Sequence, residues 1–252
     1  MRTYFHVKGG RLEEVKGEVV REQPLTVHVN GERFLTLLCS PFQLEALVVG
    51  YLWMEKVVED AAEISRLDIS EVDGRADVTL SHPVTLPTER ILTSGCGGGI
   101  TFRIDPRLFP RLHSALRVTP QQLAGRLKEL YGHATHYRAS RGIHGAALAD
   151  GERILVMAED VGRHNAVDKV KGEALLKDIP TVDRILLSTG RVSSEMLLKA
   201  ARMGVPVIAS RTSPTEMAVG LAEQLGITVI GYLRPDGLNL YAGDALAWDA
   251  TD

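Results

Sequence analysis

Cys96 stands in the segment Thr93-Ser94-Gly95-Cys96-Gly97-Gly98-Gly99, a run with no bulky side chain. Glycines accept positive φ and let a second molecule come close. Their bare N–H groups can also stabilise a thiolate, the nucleophilic form of cysteine. These residues suit a nucleophile or a sulfur carrier, and equally a connector in which the cysteine is incidental. Four arginines, Arg163, Arg191, Arg211 and Arg234, each follow the carboxyl end of a strand-type run. Ligands of open α/β sheets bind outside those ends, where helix N-termini offer free N–H groups. Arginine adds a fork of donors that matches phosphate oxygens. Together the four suit a pocket for a large phosphorylated ligand such as a nucleotide; singly, each could cap a turn or pair with Asp160, Glu195 or Glu216. His164 and His144 sit at a helix start and a strand start, where a polar or ligand-facing role fits. His133 and His136 have no third ligand nearby in sequence and read as a solvated turn rather than a metal site.

The elements that must position these residues come in two stretches. In the first, Asn30-Gly31 is a hairpin turn between β-type runs. A helix is expected from Ser40, with Pro41 at the first helical position and Gln43 closing a capping box, running to about Val58. Leu44, Leu47, Val48, Tyr51, Leu52 and Val58 give it an apolar stripe at helical spacing. Cys39, just before this helix, reads as a small buried residue. Strand-type runs around Asp73-Gly74 follow, then the glycine segment with Cys96.

From Thr119 onward helices and strands alternate. Thr119-Pro120-Gln121-Gln122 starts a helix that Gly132 is placed to stop. Strands 144–149 and 153–159 are joined by Asp150-Gly151-Glu152. A helix over 164–176, a strand over 184–190, a helix over 194–203 ended by Gly204 and a strand over 206–211 come next. Ser213-Pro214-Thr215-Glu216 then starts a helix that stops at Gly226, and a last strand spans 227–233. The order predicts an α/β protein: a mixed, mostly parallel sheet with helices on both faces, preceded by a smaller β-rich part. Residues 1–117 form the N-terminal region with one long helix and the Cys96 segment, and 118–252 the α/β domain.

Composition sets limits. With 252 residues, 44% hydrophobic and 24% charged, the chain is globular in character. A net charge of −3 gives no general attraction to nucleic acid or anionic membrane. The longest apolar candidate, 46–54, is too short to cross a bilayer, and the N-terminus lacks the apolar core of an export signal. Two cysteines support no disulfide scaffold, so a cytoplasmic setting is expected.

The α-β-β-α-β-α-β-α-β order is also the layout of the cytidine-deaminase-like fold. Zinc deaminases place His-x-Glu at one helix start and Cys-x-x-Cys at the next. Here those starts read Val161-Gly162-Arg163-His164-Asn165 and Thr189-Gly190-Arg191-Val192-Ser193, so the cysteine ligands of a catalytic zinc are missing and no zinc chemistry is expected.

Long stretches then carry a family resemblance: 36–58, TSGCG at 93–97, GIHGAAL at 142–148, EDVGRHNAVDK at 159–169, 188–226 and 227–243. The chain resembles the FdhD/NarQ family of formate dehydrogenase accessory proteins over nearly its whole length. The resemblance implies a cytidine-deaminase-like core, a homodimer, and sulfur received as a persulfide from a cysteine desulfurase. It implies transfer of that sulfur to the molybdenum (or tungsten) bis-pyranopterin guanine dinucleotide cofactor destined for formate dehydrogenase. Cys96 matches the persulfide-carrying cysteine, and Tyr232-Leu233-Arg234-Pro235-Asp236-Gly237 the stretch that binds the cofactor. Arg163, His164, Arg191 and Arg211 would add charge partners for its guanosine diphosphate tails. Two departures stand out. Family members usually carry Cys-x-x-Cys in the loop, whereas Gly99 occupies the second position here, and Arg141-Gly142-Ile143 replaces Thr-Gly-Gly before His144. The missing cysteine keeps open an alternative, a cofactor-binding chaperone with no covalent step.

Overall fold

The computed structural model describes residues 1–86 and 109–248, together with the backbone of 90–92 and 100–102. A hairpin of β1 (Arg2–Lys8) and β2 (Arg11–Gly17) forms a two-stranded sheet of its own. A four-stranded sheet follows in the order β4-β3-β6-β5, built from β3 (Gln23–Val29), β4 (Glu32–Cys39), β5 (Ile64–Ser70) and β6 (Arg75–Leu80). The turn between β3 and β4 is Asn30-Gly31, both with positive φ, as the sequence predicts. Short strands β7 (Arg90–Leu92) and β8 (Ile100–Phe102) pair antiparallel. Cys96 and its neighbours at 93–99 lie outside the described residues.

The second sheet has six strands in the order β10-β9-β11-β12-β13-β14. These are β9 (His144–Ala149), β10 (Ile154–Asp160), β11 (Ile185–Ser188), β12 (Val207–Ser210), β13 (Thr228–Arg234) and β14 (Gly237–Ala242). β11, β12 and β13 are parallel; β9 is antiparallel to both β10 and β11, so β10 runs with the parallel set. The sheet is mixed, with four strands pointing one way. Alternate residues face opposite cores: Ala146, Leu148, Leu186 and Ile208 meet α4 (Arg163–Leu176), α5 (Ser194–Arg202) and α6 (Glu216–Leu225). Ala147, Ala149, Leu187 and Ile230 meet α2 (Pro120–His133). Helices cover both faces.

α1 (Leu44–Met54) joins the two sheets. Every residue except Glu45 is buried, so the expected apolar stripe is in fact apolar all round, the mark of a helix enclosed in a core. It shares one apolar cluster with Leu25, Val27 and Phe34 of the four-stranded sheet and with α4, and this core runs across position 117. α1 and α4 cross at Gly50 and Gly172: a Cβ on Gly172 would lie 1.8 Å from the Ala46 carbonyl oxygen, and one on Gly50 1.8 Å from that of Asp168. Rigid backbone cannot yield cheaply there. Gly172→Ala is expected to cost about 1–3 kcal/mol by overpacking. Urea unfolding should show a lower midpoint at an unchanged slope.

Several expected boundaries move, each for a physical reason. α1 begins at Leu44, after Gln43 in the left-handed region, without a side-chain cap. Ser40 is engaged elsewhere: its N–H donates to Asp160 Oδ2 at 3.0 Å, and its Oγ accepts from Val161 N–H at 3.0 Å. Gln43 Nε2 donates to the Met157 carbonyl and to Glu173 Oε1. Thr119 does form the expected capping box with Gln122. Gly132 does not end α2; the chain continues at once into a short helix α3 (Thr135–Ser140) that the sequence did not announce. Its first N–H groups are taken by a distant carboxylate, with His136 and Tyr137 donating to Glu159 at 3.1 and 2.7 Å. α6 is capped by Thr215, two residues after Ser213, because Val192 pairs with the Pro214 segment. Gly204 and Gly226 end α5 and α6 with positive φ.

Candidate functional site

Because β10 to β13 share a direction, their carboxyl ends lie on one edge of the six-stranded sheet, and the antiparallel β9 and β14 begin there with His144 and Gly237. That topology gathers Arg163, Arg191, Arg211 and Arg234 on a single edge, and they divide into two neighbourhoods.

The first surrounds the starts of α4 and α5. Arg163 is the opening residue of α4, and its Cβ lies 2.9 Å from where a Cβ on Gly190 would be. His144 Nδ1 would be 3.2 Å from that same point, so only glycine fits between them. Ser188 and Ser210 pin the Gly190 turn, accepting its N–H at 3.1 Å and donating to its carbonyl at 2.6 Å. His164 is buried, with Nε2 3.2 Å from Ser193 Oγ and 3.4 Å from Glu195 Oε2. Burial, reinforced by Lys199, Arg163, His144 and Arg191, pushes its pKa down to about 2. The ring is therefore neutral and contributes polarity to this edge, not charge. Burial likewise lowers the pKa of His144, with Arg163 second. Arg191 is exposed.

Two buried ion pairs hold this neighbourhood. Lys169 Nζ lies 2.6 Å from Asp160 Oδ2, and Asp160 Oδ1 accepts from Gly162 N–H and Asn165 Nδ2 at 2.8 and 3.0 Å. Lys199 Nζ donates to both Asp168 oxygens at 2.5 and 2.7 Å. Burial alone would lower the Lys199 pKa, and the Asp168 carboxylate more than offsets it, so the ammonium is retained. The conspicuous acidic and basic residues of 159–169 thus build the frame: Glu159 caps α3, Asp160 closes the β10–α4 turn and pairs with Lys169, and Asp168 pairs with Lys199.

The second neighbourhood is the β13–β14 hairpin. Pro235 and Asp236 form its turn and, with Gly237 and Tyr232, are exposed. Tyr232 has φ 49°, a left-handed conformation uncommon outside glycine, and its N–H donates to the Thr212 carbonyl at 3.1 Å. Leu233 points the other way, fully buried in the core beneath α2, and anchors the segment. Arg234 Nη1 donates to the Arg211 carbonyl at 2.6 Å, tying two strand ends together. Arg211 and Pro235 line a cavity of about 360 Å³ with Lys128, Tyr131, Tyr137 and Arg141. The Tyr131 and Tyr137 rings lie 5.2 Å apart, centroid to centroid. Burial raises the Tyr131 pKa although Arg211 and Arg234 favour its ionised form. These tyrosines and Arg141 escaped the sequence reading, since α3, which brings Tyr137 back towards α2, carries no local start signal.

Of the other candidates, His136 belongs to α3 rather than to a solvated turn, and its ring stacks on Phe42 at 3.9 Å. Cys39 is fully buried in β4, where burial above all pushes its thiol pKa up to about 12. Among the described residues no group of three His, Cys, Asp or Glu side chains is arranged to hold a metal ion, and no helix is long and apolar enough to cross a membrane.

A mixed sheet with helices on both faces, four arginines at one edge and the starts of α4 and α5 beside them defines an open α/β protein, the class in which ligands bind outside the strand ends. The chain belongs to the FdhD/NarQ family, whose model matches residues 20–246. It is 38% identical over 247 residues to the sulfur carrier protein FdhD of Bacillus subtilis (strain 168), covering 96% of this chain and 94% of that one. With the sulfur carrier protein FdhD of Bacillus pumilus (strain SAFR-032) it shares 40% identity over 246 residues, covering 95% and 94%. A crystal structure from Desulfotalea psychrophila, described as a formate dehydrogenase accessory protein, superposes with a TM-score of 0.80 at 26% identity, covering 98% of each chain. The hairpin of β1 and β2 precedes the family match.

Proposed function

We propose that this protein is a cytoplasmic sulfur carrier that serves formate dehydrogenase. A cysteine desulfurase loads sulfur onto Cys96, and the protein passes it to molybdenum (or tungsten) bis-pyranopterin guanine dinucleotide, which it binds as substrate. The observation that carries the reading is the convergence of Arg163, Arg191, Arg211 and Arg234 on one sheet edge beside the exposed Pro235-Asp236-Gly237 turn. Two guanosine diphosphate tails need such an array of donors. A homodimer and a cytidine-deaminase-like ancestry for the six-stranded core belong to the same reading.

Loading is a sulfur-for-sulfur substitution. The Cys96 thiolate attacks the terminal sulfur of the donor persulfide, a new S–S bond forms, and the donor cysteine leaves as thiolate. Nothing is oxidised overall. Releasing the carried sulfur as sulfide takes two electrons, and with Gly99 in the second loop position and Cys39 buried these come from a thiol of another molecule.

Incubation with a cysteine desulfurase and free cysteine tests the reading by intact mass. A gain of one sulfur atom, removed by dithiothreitol and mapped to the peptide holding Cys96, is expected. An unchanged mass with an active desulfurase would refute covalent carriage and leave the chaperone role that Gly99 motivates.

A further inference from the structure

Opposite the arginine edge, near the carboxyl ends of α4 and α5, lies a second cleft of about 760 Å³. Trp53, from the end of α1, meets two cations in it: Lys171 Nζ is 3.9 Å from its ring centroid, and Arg202 Cζ 4.5 Å. Both are deeply placed, Lys171 at 7% exposure and the Arg202 side chain at 7%. Glu59 and the buried Glu55 favour the charge of Arg202, whereas Lys171 has no ion-paired carboxylate among the described residues. Arg202 meets Glu59 Oε1 only at 3.6 Å, beyond hydrogen-bonding range, and Glu59 is itself 74% exposed. The buried Nε of Arg202 has no hydrogen-bond partner. Lys171 Nζ has the indole face but no hydrogen-bonded or ion-paired carboxylate. Asp60 favours its charge without pairing with it, and caps the turn Ala61–Glu63. Burial, then Arg202, pulls the Lys171 pKa down to about 8, with Asp60 opposing them.

The other walls are largely apolar, from Phe109, Leu112, Leu175, Ile179 and Val182, with Lys56, Glu59, Asp60 and Asp178 at the cleft as well. Those acidic groups disfavour a dianion such as phosphate, while the apolar walls favour a ligand with a body. The volume is that of a small-molecule site. We propose that this cleft binds a carboxylate carried on an apolar body, its charge placed between Lys171 and Arg202 beside Trp53. The carboxylate belongs to a free organic acid or to the C-terminal residue of a peptide. The inference is independent of sulfur transfer, and its test uses no sulfur chemistry.

Trp248 is replaced by phenylalanine, leaving Trp53 as the sole indole. Emission is then titrated with hexanoate, N-acetyl-leucine and neutral hexanamide. A saturable change with a carboxylate is expected, at least tenfold weaker with hexanamide and in Lys171→Gln and Arg202→Gln. Lys171→Arg should keep most of the affinity. Tighter binding of N-acetyl-leucine than of hexanoate would identify a peptide terminus, and the reverse a free acid. Absence of saturation with either carboxylate, or equal binding of hexanamide, overturns the proposal; this comparison needs only the Trp248→Phe protein and stands even if the cleft variants misfold.

Discussion

Cys96→Ala protein is expected to accept no sulfur and to leave formate dehydrogenase inactive, while binding guanosine diphosphate as tightly as the unaltered chain. The alanine removes the only thiol that can form a persulfide, since Cys39 lies at 0% exposure in β4. Arg191→Glu should show the reverse pattern, with normal sulfur loading by mass but nucleotide affinity down at least tenfold. Arg191 suits this better than Arg234, because Arg234 also holds the Arg211 carbonyl. Formate dehydrogenase activity in cells lacking the native carrier, with nucleotide binding by calorimetry, separates the cases. Active enzyme with Cys96→Ala would establish the non-covalent chaperone role instead.

Asp160→Asn should be the most damaging single exchange in the frame. It leaves the Lys169 ammonium fully buried and facing an amide, a loss of about 3–5 kcal/mol for one partner of a buried pair. The carboxylate also receives the N–H groups of Ser40 and Gly162, so the entry to α1 and the β10–α4 turn loosen together. Urea unfolding at neutral pH measures the loss. The double variant Asp160→Asn/Lys169→Met, with no uncompensated charge, should recover part of it. A single variant within about 0.5 kcal/mol of the parent, the range of an ordinary surface exchange, would show that Lys169 finds another partner.

The sequence made the arginine edge legible because strand direction follows from alternating βα order, and four arginines sit at the same step of that order. Element starts with local partners were legible for the same reason: Thr119 and Gln122 are three residues apart. Most departures from the expected elements are long-range. Ser40 resembles a helix cap, yet Asp160 claims its backbone N–H from 120 residues away. α3 depends on Glu159, and Gly132, taken as a stop, lies within α2. β14 is a local exception: the stretch after β13, which the resemblance marks as cofactor-binding, is the turn and return strand of a hairpin. Family motifs also mislead about role, since the charged residues of 159–169 mostly serve the frame: Asp160 pairs with Lys169, Asp168 with Lys199, and Glu159 holds α3. Only Arg163 and His164 from that segment border the edge, and His164 is neutral.

The burial of Cys39 has a practical and a physiological side. With one thiol sealed in a strand and held at a pKa of about 12, maleimide or iodoacetamide should modify this chain once under native conditions. A thiol and a persulfide both take the label, but dithiothreitol strips it only from the alkylated persulfide, whose S–S bond it reduces, so the label lost on reduction gives the loaded fraction. Under the proposed carriage on Cys96, each chain delivers one sulfur. The burial of Cys39 also leaves the carrier without an internal disulfide in which to shelter, so its oxidative losses would run to sulfinic and sulfonic acid unless a small thiol caps Cys96 first.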